Sequence, residues 1–256
     1  MKCLIFFILI IFLFNSCKKL RDEVETNKVF LSGKGLTDID GNYYPSVIIG
    51  NQEWMANNLK VTRFNTGDSI LFAKNDSIWD NLAYLPPFNT LVEIPDNPIY
   101  SFAGFDSTSN PNFGYYYNVK VIKNDLNVCP VGWHIPSSNE WNSMIDYVSD
   151  PETFGLYSKS TGILNDSTGY WDEDINYSSN ETQLSIEPSG FYSTVLAYNL
   201  KIYQNTCLAS STFGTYNTKY GSYPEIKVFL MDNKSYKLKL FETNMLVGLP
   251  IRCVKD

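Results

Sequence analysis

The feature that most constrains this chain is the segment 129–141, which reads Cys-Pro-Val-Gly-Trp-His-Ile-Pro-Ser-Ser-Asn-Glu-Trp. It holds the only histidine of the sequence, two of its five tryptophans and one of its five cysteines. The last six residues, 251–256, read Ile-Arg-Cys-Val-Lys-Asp and hold another cysteine. We interpret the two segments as parts of one domain whose end returns to its middle. Neither segment indicates a reaction.

The first sixteen residues have the pattern of a secretory signal peptide. Lys2 supplies a positive charge, and Leu4 to Phe14 is an apolar run, shorter than the roughly twenty residues that span a bilayer. Because a cysteine, Cys17, follows a small residue, residues 1–16 resemble a lipoprotein signal of the Bacteroidetes type. The resemblance implies cleavage before Cys17 and lipidation of its thiol. The alternative is an ordinary signal peptide with an incidental cysteine.

Residues 17–37 form a polar segment of mixed charge, which cannot bury enough apolar surface to fold alone. We predict that this segment is a lipidated tether and that the folded domain occupies residues 38–256. The lipid would hold the protein at the outer membrane, and the sequence leaves open whether it faces the periplasm or the cell surface.

Three cysteines remain once Cys3 leaves with the signal peptide and Cys17 carries lipid. One disulfide and one leftover thiol is the simplest arrangement for an exported protein. We favour a bond between Cys129 and Cys253, because both lie in the motif-like segments, and this leaves Cys207 unpaired. The alternative is three reduced cysteines buried as small apolar residues.

The composition favours a β-rich domain and argues against several functions. Tyrosine (18 residues) and phenylalanine (16 residues) are abundant, and both favour strands. The net charge of −7 argues against nucleic-acid binding, which needs a basic surface. With one histidine and few cysteines, a metal site built on those ligands is not expected. We therefore predict no metal, no cofactor and no nucleic-acid partner.

The sequence strongly predicts one helix, over about residues 137–149. Ser137 can cap the first turn, and Glu140 three residues later completes a capping box. Asp150 and Pro151 end the helix. Its apolar residues recur at helical spacing, at Trp141, Met144, Ile145 and Val148.

The rest of the chain is predicted to form short strands and long loops. Five prolines, two of them in a Pro-Pro pair, argue against a regular central strand in residues 73–112, which we interpret as a loop pinned by aromatic residues. The strands predicted in the second half are 191–198, 200–204, 207–213, 226–231, 236–241 and 251–254.

Several blocks of sequence occur in an order that resembles a known family. They are Asp38-Ile39-Asp40-Gly41-Asn42, Gln52-x-Trp54-Met55-Ala56-x-Asn58-Leu59, Gly114-Tyr115-Tyr116-Tyr117-Asn118, Cys129-Pro130-x-Gly132-Trp133-His134 and Arg252-Cys253-Val254. With these blocks the chain resembles the Fibrobacter succinogenes major paralogous domain family over residues 38–256. The resemblance implies an α+β, C-type-lectin-like compact domain with short antiparallel strands, one main helix and long loops. Formylglycine-generating enzymes share this fold, but a fold does not determine a function.

Candidate functional residues are few. His134 lies between a tryptophan and an isoleucine with no nucleophile to serve, so we interpret it as structural rather than catalytic. Exposed aromatic rings stack on sugars and on protein partners, and our candidates for such a surface are Trp79, Tyr84 and Tyr116. The alternative is that these rings pin loops to the core.

The leading hypothesis is a non-catalytic, lipid-anchored protein of the cell envelope that binds a glycan or a protein partner through its loops. Because the sequence shows no coherent catalytic set, we predict that the protein is not an enzyme. One alternative is a structural subunit of a surface assembly. A second is an enzyme of the formylglycine-generating kind that uses Cys207, although no second reactive cysteine stands at a matching spacing.

Overall fold

The computed structural model describes residues 28–83, 97–172, 177–193, 198–200, 202–219 and 221–256. The predicted signal peptide, Cys17 and Tyr84 lie outside the described residues. The strands are β1 (Phe30–Ser32), β2 (Leu36–Thr37), β3 (Tyr43–Tyr44), β4 (Ser46–Ile49), β5 (Gln52–Met55), β6 (Leu71–Phe72), β7 (Ile99–Phe102), β8 (Tyr115–Asn118), β9 (Trp133–His134), β10 (Phe191–Ser193), β11 (Tyr198–Leu200), β12 (Asn205–Thr218), β13 (Gly221–Asp232), β14 (Leu238–Asn244), β15 (Val247–Leu249) and β16 (Val254–Lys255). The α-helices are α1 (Asp76–Ala83), α2 (Val119–Ile122), α3 (Ser138–Val148) and α4 (Phe154–Ser158).

The segments that stand out in the sequence meet in a five-stranded sheet of order β1-β4-β5-β16-β9. Strand β16 lies between two strands from distant parts of the chain. Its Val254 pairs with Trp54 of β5 on one side and with His134 of β9 on the other. The end of the domain therefore returns to the segment 129–141, as predicted.

A six-stranded sheet of order β11-β10-β15-β8-β7-β6 includes part of the proline-rich region. The prediction that residues 73–112 contain no regular central strand is wrong, because β7 pairs with β8 on one side and with β6 on the other. Pro98 immediately precedes β7, where its missing N–H costs no hydrogen bond of the sheet. Its carbonyl oxygen accepts a hydrogen bond from the N–H of Leu71 at 3.0 Å.

The remaining sheets are the antiparallel strands β12-β13-β14 and the ribbon β2-β3. The strands β12, β13 and β14 confirm three predicted strands, although β12 and β13 are longer than predicted. The strand predicted at 200–204 is wrong, since residues 202–204 form a turn and Tyr203 has a φ of 76°. A positive φ is incompatible with a regular strand.

Helix α3 confirms the predicted helix and its capping box. The hydroxyl of Ser137 accepts a hydrogen bond from the N–H of Glu140, whose carboxylate accepts one from the N–H of Ser137. All four apolar residues at helical spacing are buried in a cluster with Trp54, Phe229 and Leu238. Helix α1, in contrast, occupies part of the predicted loop, and buries Trp79 and Ala83 one turn apart.

The folded part begins earlier than predicted, within the proposed tether. Phe30 of β1 pairs with Ile49, and Leu36 of β2 pairs with Tyr44. The ring of Phe30 also contacts Tyr147 of α3, with centroids 6.3 Å apart. The apolar residues of this mostly polar stretch add two strands to the domain, so the folded part includes residues before 38.

Three clusters of buried residues form the core of the described chain. The largest contains Cys129, Cys253 and Tyr117, the second packs α3 against the sheets, and the third surrounds Trp79 and Tyr116. Mostly antiparallel strands and few helices make this a β-rich α+β domain. Within the described residues, the helices are too short or too polar to span a membrane.

Candidate functional site

A disulfide joins the two motif-like segments. Cys129 and Cys253 are bonded with their Cα atoms 5.9 Å apart, which confirms the predicted pairing. Cys207 is an unpaired, buried thiol, and burial raises its pKa well above the ordinary value. A thiol reacts through its thiolate form, so this environment makes Cys207 unreactive near neutral pH.

His134 is held between two carboxylates. Its Nδ1 lies 2.7 Å from Oδ1 of Asp256, and its Nε2 lies 2.8 Å from Oε1 of Glu140. The other oxygen of Glu140 accepts hydrogen bonds from the N–H and hydroxyl of Ser137 at the start of α3. The histidine therefore links the last strand to the beginning of the main helix, which supports its structural interpretation.

This arrangement predicts a pH-dependent contribution to stability. Partial burial alone would lower the pKa of His134, but the hydrogen bonds to Asp256 and Glu140 outweigh burial and raise it above 6.5. Charged His134 therefore makes its full contribution to the free energy of unfolding below about pH 6.5. This contribution is lost as the pH rises through the higher pKa of His134 in the folded state. Because the side chain is 37% exposed, solvent screening keeps the effect below about 1 kcal/mol.

The measurement is the urea midpoint of unfolding at pH 5.5 and at pH 8.5. We expect the wild-type midpoint to fall more between these pH values than that of His134→Gln, which cannot become charged. An equal fall in the two proteins would show that His134 makes no such contribution.

A second polar network lies in the interior around Arg252. Its Nε donates to Oδ1 of Asn58 at 2.8 Å, its Nη2 donates to the carbonyl of Ser185 at 2.9 Å, and its Nη1 donates to the carbonyl of Leu184. The side chain is completely buried, and burial lowers its pKa to about 10, so the guanidinium stays charged at neutral pH. The amide of Asn58 continues the network by donating to the carbonyl of Phe113 at 2.9 Å.

Two of the predicted binding residues lie in the core. Trp79 packs edge-to-face against Tyr192, with centroids 5.6 Å apart, and the hydroxyl of Tyr116 donates to the carbonyl of Ser189 at 2.6 Å. Both side chains are buried, so the expectation that they present exposed ring faces is wrong. Trp79 is the inner residue of an amphipathic helix, and Tyr116 faces inward from β8. The third candidate, Tyr84, lies outside the described residues.

Four other aromatic residues meet at the surface of the six-stranded sheet. Neighbouring ring centroids are 5.2–5.4 Å apart, and each ring contacts two others in a closed array. Phe72 is 41% exposed and the other three are partly buried. We call this array the aromatic patch; its members are Phe72, Tyr100, Phe102 and Tyr115.

The strand register positions the aromatic patch. Phe72 pairs with Tyr100, and Phe102 pairs with Tyr115, so all four side chains leave the same face of the sheet. Gly114, just before β8, has a φ of 68°, and an added Cβ there would lie 2.6 Å from the carbonyl oxygen of Leu59. Glycine at this position lets the chain turn closely over residue 59 and begin the strand that carries Tyr115.

Charged and hydrogen-bonding groups lie beside the aromatic patch. Asp40 binds the guanidinium of Arg63 at 2.6 Å and accepts hydrogen bonds from the backbone and hydroxyl of Thr62. Partial burial, and then the negative charge of Asp40, raise the pKa of Tyr115. Its phenol therefore stays protonated and can donate a hydrogen bond near neutral pH.

Two of the three aromatic residues proposed from the sequence, Trp79 and Tyr116, are buried and take no part in this surface. Residue type alone does not show which aromatic residues in and beside the region 73–112 are buried. The available signal was the alternation Ile99-Tyr100-Ser101-Phe102, which places Tyr100 and Phe102 on one face once the segment is taken as a strand. The proline content argued against that assignment.

The described residues define a β-rich α+β domain, closed by a disulfide and carrying an aromatic patch on its surface. A family model, that of the Fibrobacter succinogenes major domain, matches residues 47–255. The chain therefore belongs to this family, as the sequence blocks indicated. No curated protein and no solved structure matches the chain.

Proposed function

We propose that this protein is a non-catalytic, lipid-anchored protein of the cell envelope that binds a glycan through the aromatic patch. The observation that carries the proposal is the closed array of four rings at the surface beside Asp40 and Arg63. A C-type-lectin-like fold is part of the proposal. It is supported by the last strand lying beside the segment that leads into the main helix.

The chemistry of the aromatic patch suits a sugar. A pyranose ring has an apolar C–H face, which packs on aromatic rings, and a rim of hydroxyl groups, which need donors and acceptors. The hydroxyls of Tyr100 and Tyr115 and the guanidinium of Arg63 supply donors. The same phenol oxygens supply acceptors, because the carboxylate oxygens of Asp40 already accept from Thr62 and Arg63. The guanidinium of Arg63 has five N–H donors. Asp40 contacts only its Nε and Nη2 atoms.

The proposed anchor rests on the sequence before the described residues. The apolar run from Leu4 to Phe14 followed by Cys17 supports export and lipidation of that cysteine. Attachment would then come from the acyl chains, at about 0.8 kcal/mol per buried methylene. Palmitate labelling tests this part of the proposal, because Cys17→Ala removes the acceptor thiol and should abolish the label.

The binding proposal predicts that Phe72→Ala weakens glycan affinity about tenfold. An aromatic contact contributes about 1–1.5 kcal/mol, and 1.4 kcal/mol corresponds to a factor of ten. Because Phe72 is partly exposed, its loss should change folding little. The measurement is a glycan array on the purified protein, followed by calorimetry of each variant with the sugar that binds best.

The control is Tyr216→Ala, which removes a ring that is 62% exposed on the separate sheet of β12, β13 and β14. The glycan affinity of Tyr216→Ala should equal that of the wild type. The proposal fails if the wild type binds no glycan, or if both variants lose the same affinity.

A second candidate function is a structural subunit of a surface assembly. The observation that favours it is the exposed strand β14, whose Leu240 and Phe241 lie at the open side of a sheet. Such a strand is a template for pairing with another chain. A binding protein and a self-associating subunit are compatible, since the two surfaces lie on different sheets.

A further inference from the structure

Two phenol rings of the aromatic patch carry hydroxyl groups that form no hydrogen bond with another described residue. They belong to Tyr100 and Tyr115, whose rings are stacked with their centroids 5.2 Å apart and their planes at 28°. Both side chains are half-buried. Each hydroxyl can therefore donate one hydrogen bond to a ligand and accept others from it.

Asp38 supplies a negative charge behind the aromatic patch. Its carboxylate accepts hydrogen bonds from the N–H groups of Asp40 and Asn42, both at 2.9 Å. It also accepts from the side-chain amide of Asn42 at 2.9 Å and from the hydroxyl of Tyr44 at 2.7 Å. These donors stabilise an ionised carboxylate but carry no charge that cancels it. Within the part of the chain that the structure describes, Asp38 forms no ion pair.

The neighbouring ion pair contributes little net charge. Both Nε and Nη2 of Arg63 lie 2.6 Å from Oδ1 of Asp40, so the charges of these two side chains largely cancel at the distance of a ligand. Together with Asp38, two carboxylates and one guanidinium leave one net negative charge beside the aromatic patch. The guanidinium keeps N–H groups for a neutral hydroxyl, but its charge is already compensated.

The carboxylates act on the aromatic patch itself. Tyr44, which donates to Asp38, is buried in the cluster against which both phenol rings pack. Partial burial, and then the charges of Asp40 and Asp38, raise the pKa of Tyr115. The pKa of Tyr100 is raised by partial burial, by the neighbouring Tyr115 and by Asp40. Among the described residues no cation lowers either pKa, and a negative charge that disfavours a phenolate disfavours any other anion at the same place.

We propose that the aromatic patch binds neutral glycans and excludes glycans that carry carboxylate or sulfate groups. This inference rests on the proposed binding of a glycan at the aromatic patch. A neutral pyranose packs its C–H face on the rings and exchanges hydrogen bonds with the two phenol groups, and it carries no charge for Asp38 to repel. An acidic sugar meets that negative charge while Arg63 is engaged by Asp40.

The expected selectivity follows from the repulsion between like charges. Two such charges about 8 Å apart, at an effective dielectric constant of about 40, repel by an energy equivalent to about a fivefold loss of affinity. Salt at about 1 M screens charges over about 3 Å, so the difference should largely disappear there. Ring stacking and hydrogen bonds to a neutral sugar are hardly screened, so the affinity for the neutral glycan should change little.

The test uses oligosaccharides that differ mainly in charge. Oligomers of glucose, galactose and mannose are compared with oligomers of the corresponding uronic acids, in which C6 is a carboxylate. Calorimetry of the wild-type protein gives the dissociation constants of each pair at about 20 mM and at about 1 M salt. In the best-binding pair, we expect the neutral oligomer to bind about five times more tightly at low salt, and the ratio to approach one at high salt.

Asp38→Asn tests the source of the selectivity, because it removes the net charge with little change in shape. The low-salt ratio of the two dissociation constants should fall from about five to about one. Asp146→Asn is the matched control, since it makes the same change at an exposed position of α3 and should leave the ratio unchanged. If Asp38→Asn does not fold, as judged by urea unfolding, Asp40→Asn removes one negative charge from the same group and should lower the ratio equally.

The outcomes separate this inference from the proposed function. A wild type that binds acidic glycans as tightly as neutral ones, or more tightly, overturns the inference. A ratio that Asp38→Asn and Asp40→Asn both leave unchanged also overturns it. In each of these cases glycan binding is still observed, so the proposed function stands. A wild type that binds no glycan contradicts the proposed function itself.

Discussion

Replacing Arg252 with methionine is expected to lower the free energy of unfolding by about 3–5 kcal/mol. The guanidinium is completely buried and donates to the side chain of Asn58 and to the carbonyls of Leu184 and Ser185. Methionine fills much of the same volume but leaves these three acceptors without a partner. Each buried acceptor without a hydrogen bond costs about 1–3 kcal/mol, partly offset because no charge has to be buried.

The geometry of the group should matter as well as its charge. Arg252→Lys keeps a positive charge, but an ammonium cannot reproduce the planar fork that reaches three acceptors. We expect the free energy of unfolding of Arg252→Lys to lie between those of the wild type and of Arg252→Met. The measurement is urea unfolding at pH 7 for the three proteins.

The matched control is Arg63→Met, which removes a surface guanidinium paired with Asp40. Exposed ion pairs contribute about 0–1 kcal/mol, so this variant should stay close to the wild type. If Arg252→Met costs no more than Arg63→Met, the interior network does not stabilise the fold as described.

Removing the disulfide is expected to cost about 4 kcal/mol. Cys129 and Cys253 are 124 residues apart in sequence, so their bond strongly restricts the unfolded chain. In the chain-entropy model a loop of this size corresponds to about 4–5 kcal/mol. The double variant Cys129→Ala/Cys253→Ala avoids leaving a lone thiol, and its unfolding midpoint should fall accordingly.

Cys207→Ala serves as the control for the loss of a buried sulfur. Cys207 is buried like the other two but forms no bond, so its replacement should cost only about 1 kcal/mol. Adding a reductant should lower the midpoint of the wild type and leave that of the double variant unchanged. Equal midpoints for the two proteins without reductant would contradict the expected role of the disulfide.

The elements that the sequence predicted correctly depend on local rules. The capping box at Ser137 and Glu140 and the apolar spacing that follows are sufficient to place α3 within one residue at each end. The pairing of Cys129 with Cys253 was also predictable, because the two cysteines lie in the motif-like segments. Strands β12, β13 and β14 were located but were shorter in the prediction than in the structure.

The errors arose where tertiary contacts overrode local preference. Prolines near β7 argued against a strand, yet the chain places Pro98 just outside the ladder, where no donor is needed. The stretch around Phe30 was taken as a tether because it is polar on average, although pairing with β4 orders it. Neither outcome can be read from a single segment, since each depends on its neighbour in the sheet.

The burial of aromatic residues shows most clearly what a single segment of sequence cannot predict. Trp79 and Phe72 are both aromatic residues in or beside the proline-rich region, but Trp79 is buried in the core and Phe72 is partly exposed. A ring contributes favourably either inside the core or at a binding surface, so residue type does not distinguish the two roles. Only the register of β6, β7 and β8 shows which four rings meet at the surface.

The sequence by itself determined the family, the main helix and the return of the last strand to the segment 129–141. These follow from short-range patterns and from residues such as cysteine, proline and glycine, whose chemistry restricts what they can do. The tertiary structure alone decided which aromatic rings reach solvent and which arginine is buried. These properties depend on side chains brought together from distant positions, because burial and hydrogen bonding are set by the whole packed chain.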